Sequence, residues 1–276
     1  MGIVSVVGPD FSQDDRAVLE GRDIDLTGVE TVEGATFRWA GQYKDDLNSA
    51  ITLRTQLNVL ERFAPRVSKA HSSSPYLFLA NIDPKLQLGV LDAMKRRPAL
   101  VACDTMNLWI DIARESLVSV LQRVDVLLIN EAEAKQLTGE RQLPRAAAVL
   151  LKMGLKALVV KRGEYGAALF SEKYGFAMPA YPLAKVVDPT GAGDSFAGGF
   201  MGYLAAVEDA TEDAVRRAVV AGSVMASFTV EKFGLERLTS LTNREIDDRF
   251  KSFVELMRFH PLGGGQGLPL RARYGG

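Results

Sequence analysis

Among its 276 residues the chain has one cysteine, Cys103, and two histidines, His71 and His260. A single thiol rules out an internal disulfide framework. Its place at the end of an apolar run predicts a buried core thiol, which fits a reducing, cytoplasmic setting. The histidines lie far apart without ligand spacing, which argues against a His-based metal site. No apolar run reaches the roughly 18 residues of a spanning helix, and Met1-Gly2-Ile3-Val4-Ser5-Val6 lacks the Ser or Thr that N-myristoylation expects at position six. The chain therefore reads as neither anchored to nor spanning a membrane. A net charge of −1 argues against a nucleic-acid footprint. No Gly-Lys dipeptide occurs, which removes a Walker A loop.

What is present is an ordinary globular composition, 47% hydrophobic and 24% charged, long enough for one large α/β core or two modest ones. Tyr76–Ala80, Ala99–Cys103, Val126–Ile129 and Lys156–Val160 are continuous, β-rich apolar runs, as strands covered on both faces should be. Helical patterns lie between them, near Pro84–Lys95, Asp111–Leu121 and Pro144–Met153, and three more follow near Gly193–Val207, Thr211–Val230 and Thr242–Phe259. Together they predict a mostly parallel sheet with helices on both faces.

Residues 188–200 carry the strongest chemical signal: Asp188-Pro189-Thr190-Gly191-Ala192-Gly193-Asp194, then a helix. An extended run Lys185–Val187 enters a proline-fixed turn. Unobstructed N–H groups at Gly191, Ala192 and Gly193, added to the helix dipole, suit developing phosphoryl charge. Asp194 then stands where a base could take a proton. A dinucleotide fingerprint would need a third glycine where Phe196 stands. Polar residues also follow each predicted strand: Asn81 and Asp83, Asp104 and Asn107, Asn130 and Glu133, Lys161 and Gly163, then Asp188. In an open parallel sheet that edge is where ligands bind, although loops there are often polar without function.

The stretch Asp188–Phe196 is similar to the C-terminal signature of the ribokinase-like, or PfkB, carbohydrate kinases, and resemblance runs in order over about residues 3–257. It implies a ribokinase-like α/β domain over 1–259 and ATP-dependent phosphorylation of a hydroxymethyl group on a sugar or nucleoside. It also implies Asp194 as base and the Gly191–Gly193 amides as anion hole. Asn130 and Glu133 would organise Mg²⁺ through water, although Asn and Glu at a helix start also cap well. Lys161, Gly163, Asp188, Thr190 and Ala221 fall in the nucleotide-binding segments. Gly163 equally suits a hairpin turn, and Ala221 lies on a small-residue helix that equally suits packing. Asn81, Asp104 and Asn107 fall on the acceptor side.

Thr36–Tyr43 and Ile51–Leu57 alternate, predicting a strand pair with a polar linker at Lys44–Asn48. The resemblance makes residues 36–60 a small β lid, which in relatives closes over the sugar and sometimes pairs between subunits as a homodimer. Arg38, Arg54 and Gln56 then become candidates for acceptor or dimer contacts, or plain solvated residues. Relatives also carry a Gly-Gly segment before the element that Ile3–Val7 resembles, and no Gly-Gly pair occurs here before Gly198-Gly199. The expectation is a truncated or mis-started product, poor at turnover. A nucleotide- or sugar-binding remnant without turnover is the alternative of another class. The Gly-rich residues 260–276 read as a flexible tail.

Overall fold

The computed structural model describes residues 1–43 and 50–258, so the linker expected at Lys44–Asn48 and the tail expected at 260–276 lie outside the described residues. The chain opens with β1 (Gly2–Val7), α1 (Gln13–Glu20), β2 (Asp25–Thr31), β3 (Arg38–Tyr43) and β4 (Ala50–Gln56). Next come β5 (Tyr76–Leu79), α2 (Pro84–Ala93), β6 (Leu100–Asp104), α3 (Asn107–Ile112), α4 (Arg114–Leu121) and β7 (Val126–Asn130). Then follow α5 (Glu131–Thr138), α6 (Leu143–Leu151), β8 (Ala157–Lys161), β9 (Ala167–Phe170) and β10 (Gly175–Met178). Four helices close the described chain: α7 (Ala192–Val207), α8 (Glu212–Thr229), α9 (Glu236–Thr239) and α10 (Asn243–Met257).

Six strands form one sheet in the order β10-β9-β8-β7-β6-β5. Pairs β5–β6, β6–β7 and β7–β8 are parallel, while β8–β9 and β9–β10 are antiparallel. A parallel step needs a crossover, and α2, α3–α4 and α5–α6 supply the three. Alternation along each strand divides the core in two. Val126, Leu128 and Val159 point to the side of Phe196, Phe200, Val219 and Phe253, from α7, α8 and α10. Leu127, Ile129, Leu158 and Val160 point to the other side, against Leu117, Leu121, Leu137 and Leu150 from α4–α6. Covering on both faces is why these strands are apolar without interruption. Cys103 is fully buried in the second layer, where burial raises its thiol pKa.

Two expectations need correction. Lys185–Val187 is not a strand, because the Val187 amide donates to the carbonyl of Val230 at 2.8 Å beyond the end of α8 and no strand partners it. The pattern Asp111–Leu121 is two elements, since Ala113 leaves helical geometry at φ −136° between α3 and α4. The first strand pairs with β2, in parallel and through α1, as a two-stranded sheet apart from the six. The alternating segments do form the antiparallel ribbon β3–β4, with a bulge where the register shifts between Ala40 and Gly41. Among the described residues no helix is long and apolar enough to cross a membrane.

Candidate active site

Neighbouring strands β6, β7 and β8 end at Asp104, Asn130 and Lys161, so pairing alone brings three predicted residues to one edge. Lys161 Nζ donates to Asp104 Oδ2 at 2.7 Å, with side chains 17% and 8% exposed, so the pair is largely withdrawn from water. Asp104 Oδ1 accepts from the Thr105 amide, which fixes the carboxylate. A Cβ built on Gly193 would lie 3.3 Å from Lys161 Nζ, so the ammonium reaches the turn at the start of α7.

That turn depends on glycine. Gly191 sits at φ 78°, the left-handed region, as the residue preceding α7, and a side chain there would be strained although the space beside it is empty. The first amides of a helix have no acceptor within it. Ala192 differs, since its amide donates to the Pro189 carbonyl at 3.2 Å. The Ala192 amide is therefore already committed to a bond within the turn. Asp194 follows in the first turn of α7 and is exposed. Surrounding protein and the Asp104 carboxylate raise its pKa, while Lys161 opposes them.

Asn130 and Glu133 cap α5 reciprocally. Asn130 Oδ1 accepts from the Glu133 amide at 2.8 Å, and Glu133 Oε2 accepts from the Asn130 amide at 3.1 Å. The capping alternative is therefore real, and it positions the carboxylate at the same time. Burial pushes Glu133 up to about 7, and Asp104 adds to that, against the Asn130 amide and Lys161. Two carboxyls whose pKa values depend on one Lys and one Asp mark a shared electrostatic site.

Asp188 has a structural task. Its Oδ1 accepts from the Thr190 amide at 2.9 Å and its Oδ2 from the Gly234 amide at 3.4 Å. Burial works against its ionisation, yet these bonds outweigh burial and hold its carboxyl low. Thr190 Oγ1 in turn donates to the Tyr43 hydroxyl at 3.3 Å, so the ribbon β3–β4 touches the turn that leads into α7. Gly163 lies at φ 56° in the β8–β9 turn.

Other predicted residues stand elsewhere. Ala221 packs in the α7–α8 seam, its carbonyl 2.7 Å from where a Cβ of Gly199 would be. Asn107 Oδ1 accepts from the neighbouring Leu108 amide at 2.9 Å, and Asp83 caps α2. Asn81 Oδ1 accepts from Trp109 Nε1 at 2.9 Å. Arg38 pairs with Asp10 at 2.9 Å, and alternation puts it on the face of β3 opposite Tyr43. Gln56 and Arg54 pair with Arg38 and Ala40, and they line an open hollow with those residues. The face of the ribbon that reaches the site carries Trp39, Gly41 and Tyr43 instead. Their period-two spacing was available in the sequence, but only the Thr190 contact shows which phase of the alternation faces inward.

The pfkB family carbohydrate kinase pattern matches residues 1–239. A cytidine kinase of Thermococcus kodakarensis is 28% identical over 208 residues, 74% of this chain and 73% of that protein. A Methanocaldococcus jannaschii nucleoside kinase, an archaeal member of the ribokinase family, superposes with a TM-score of 0.72 at 23% identity, over 91% of this chain and 80% of its own. A fructokinase of Vibrio cholerae, solved with fructose, ADP and calcium ion, superposes with a TM-score of 0.71 at 17% identity, over 91% and 84%. The fold is therefore ribokinase-like.

Proposed function

The chain belongs to the pfkB family of carbohydrate kinases and is a kinase, and on that premise we propose that it phosphorylates a hydroxymethyl group of a sugar or nucleoside from ATP. Asp194 takes the proton of the acceptor hydroxyl. The oxygen so freed forms the new bond to phosphorus as the bridging oxygen leaves with the nucleoside diphosphate. Gly191 and Gly193 amides, with Ala192 beside them, hold the charge on the transferring group, and Lys161 adds a cation within reach of the same turn.

The observation that carries this proposal is the convergence of Asp194, Lys161, Asp104 and the Gly193 backbone at one sheet edge. Asn130 and Glu133 fit a hard divalent cation, because they offer oxygen donors, and Mg²⁺ accepts one or two carboxylates while keeping several waters. Such an ion would neutralise the nucleotide phosphates. Gly163 and the turn Asp188–Thr190 shape the nucleotide side, while Asn81, Asp104 and Asn107 border the acceptor side. Ala221 acts through packing of α7 on α8 in this proposal, and Arg38 through Asp10. The lid belongs to the same domain, 1–259, and exposed Ile51 and Leu53 on the ribbon favour pairing with a second copy.

A screen of ADP release over ribose, fructose, cytidine and other nucleosides with Mg²⁺ and ATP tests the proposal. Acceptor-dependent release that disappears in Asp194→Asn is the expected result. Nucleotide binding with no release for any acceptor would leave the binding-protein alternative.

A further inference from the structure

Among the described residues, one side chain of the ribbon β3–β4 hydrogen-bonds the turn that leads into α7, the half-buried phenol of Tyr43. Thr190 Oγ1 donates to it at 3.3 Å, so the phenol oxygen accepts. A tyrosine hydroxyl donates and accepts at once. Its own proton has no acceptor among the described residues, which leaves one hydrogen-bond donor unspent at this point.

The place of that donor is set from both sides. Thr190 immediately precedes Gly191, and its amide is tied to Asp188 Oδ1 at 2.9 Å, so the hydroxyl that anchors the phenol belongs to a fixed turn. On the ribbon, Ala50 stands opposite Tyr43 in the register and brings no polar side chain. The Trp39 indole lies over Gly41, where a Cβ would strike its ring, and its Nε1 donates to Thr52 Oγ1 at 3.2 Å. Thr52 and Trp39 are thus engaged with each other, and Tyr43 is the ribbon's donor at the turn.

We infer that Tyr43 is a further catalytic residue, a donor that the lid carries to the phosphoryl group in transfer. This inference rests on the phosphotransfer proposal, in which the Gly191 and Gly193 amides hold that group one residue from Thr190. Turn amides and a phenol from the ribbon then approach the same oxygens from two separate elements. The phenol gives a hydrogen bond and keeps its proton, so the bonds made and broken remain those of the proposed transfer. A fixed donor in a site covered by the ribbon is worth more to developing charge than the same group in water.

Tyr43→Phe removes the hydroxyl and keeps the ring. The variant should lose about 10²-fold in kcat, the range for one such donor, with KM for ATP and acceptor changed by less than about 2-fold. A second readout is calorimetric binding of ADP with aluminium fluoride and Mg²⁺, a mimic of the phosphoryl group in transfer, in the presence of ribose and of cytidine. The variant should bind this mimic about 10²-fold more weakly than the parent and bind ADP alone equally well, because the donor acts on the transferring group. A rise in acceptor KM at unchanged kcat would make the phenol a tether of the ribbon and overturn the inference. Undiminished binding of the mimic would overturn it too, and loss of ADP release in Asp194→Asn would then show that the phosphotransfer proposal stands without it. A parent that binds the mimic no more tightly than ADP would overturn both.

Discussion

Around Gly191–Asp194 the supporting elements are packed deep, whereas around Trp39–Tyr43 they are nearly all exposed. Helix α7 buries Phe196, Phe200 and Leu204 against a sheet whose strands β7 and β8 are solidly buried. The ribbon β3–β4 buries little, and Ile51 and Leu53 on it are exposed. It is held at its root by Asp10, whose Oδ1 accepts from the Thr36 amide and hydroxyl at 2.7 and 2.6 Å, and near its tip by Tyr43. The groups proposed as catalytic are thus fixed by dispersion and burial, and the ribbon proposed as a lid by a few polar contacts. A two-stranded ribbon is marginal alone, so it can move without disturbing the core.

The largest effect should come from the rigid end. Asp194→Asn should lower kcat by about 10²–10⁴-fold with ATP affinity little changed, measured by steady-state ADP release and ATP titration. Near-normal kcat would remove the base from this site. Gly191→Val should abolish transfer while circular dichroism still shows the folded domain, because a β-branched residue is strained at φ 78° and would crowd the phosphate. Loss of activity that simply followed unfolding would make the glycine structural.

Next in size are opposite movements of a pH profile. Asp194 must be ionised to act as base, Asp104 raises its pKa and Lys161 lowers it. The acid limb of kcat/KM should therefore move to lower pH in Asp104→Asn and to higher pH in Lys161→Met. Movement in the same direction would break the assignment of a shared electrostatic site. Glu133→Gln should raise the Mg²⁺ needed for half-maximal rate. In the parent the Glu133 carboxyl, at about 7 against an ordinary 4.5, contributes stability below 4.5 that is lost as pH rises through about 7. That part of the pH dependence of Tm should vanish in the variant.

The smallest effect should come from the lid root. Asp10 is held down to about 2 by the Thr36 hydroxyl and amide, with Arg38 adding to them. Asp10→Ala should raise acceptor KM several-fold and leave ATP KM and Tm nearly unchanged. An equal rise in ATP KM, or a clear fall in Tm, would mean that lid and core are not independent.

Much of the rigid end was legible in the sequence. Continuous apolar runs announced covered parallel strands, and the polar residue after each run marked one sheet edge. Asp104, Asn130 and Lys161 lie side by side at that edge. The lid was legible as alternation but not as orientation. Arg38, Arg54 and Gln56 looked functional because they are charged or polar, yet Arg38 serves Asp10 and the aromatic phase faces the site. Val186-Val187 looked like a strand because β-branched residues favour extension, but a strand exists only where a neighbour supplies its hydrogen bonds.

What the sequence determined by itself is local: period, turn chemistry, the glycines at 191 and 193, and the placing of Asp194 in the first turn of a helix. These depend on bonds and dihedrals within a few residues. Only the tertiary structure decided that Lys161 meets Asp104 and that Tyr43 rather than Arg38 looks down on Thr190. Each of those depends on separations of up to 147 residues closed by packing, and a period of two leaves the choice of inward face open until a partner surface arrives.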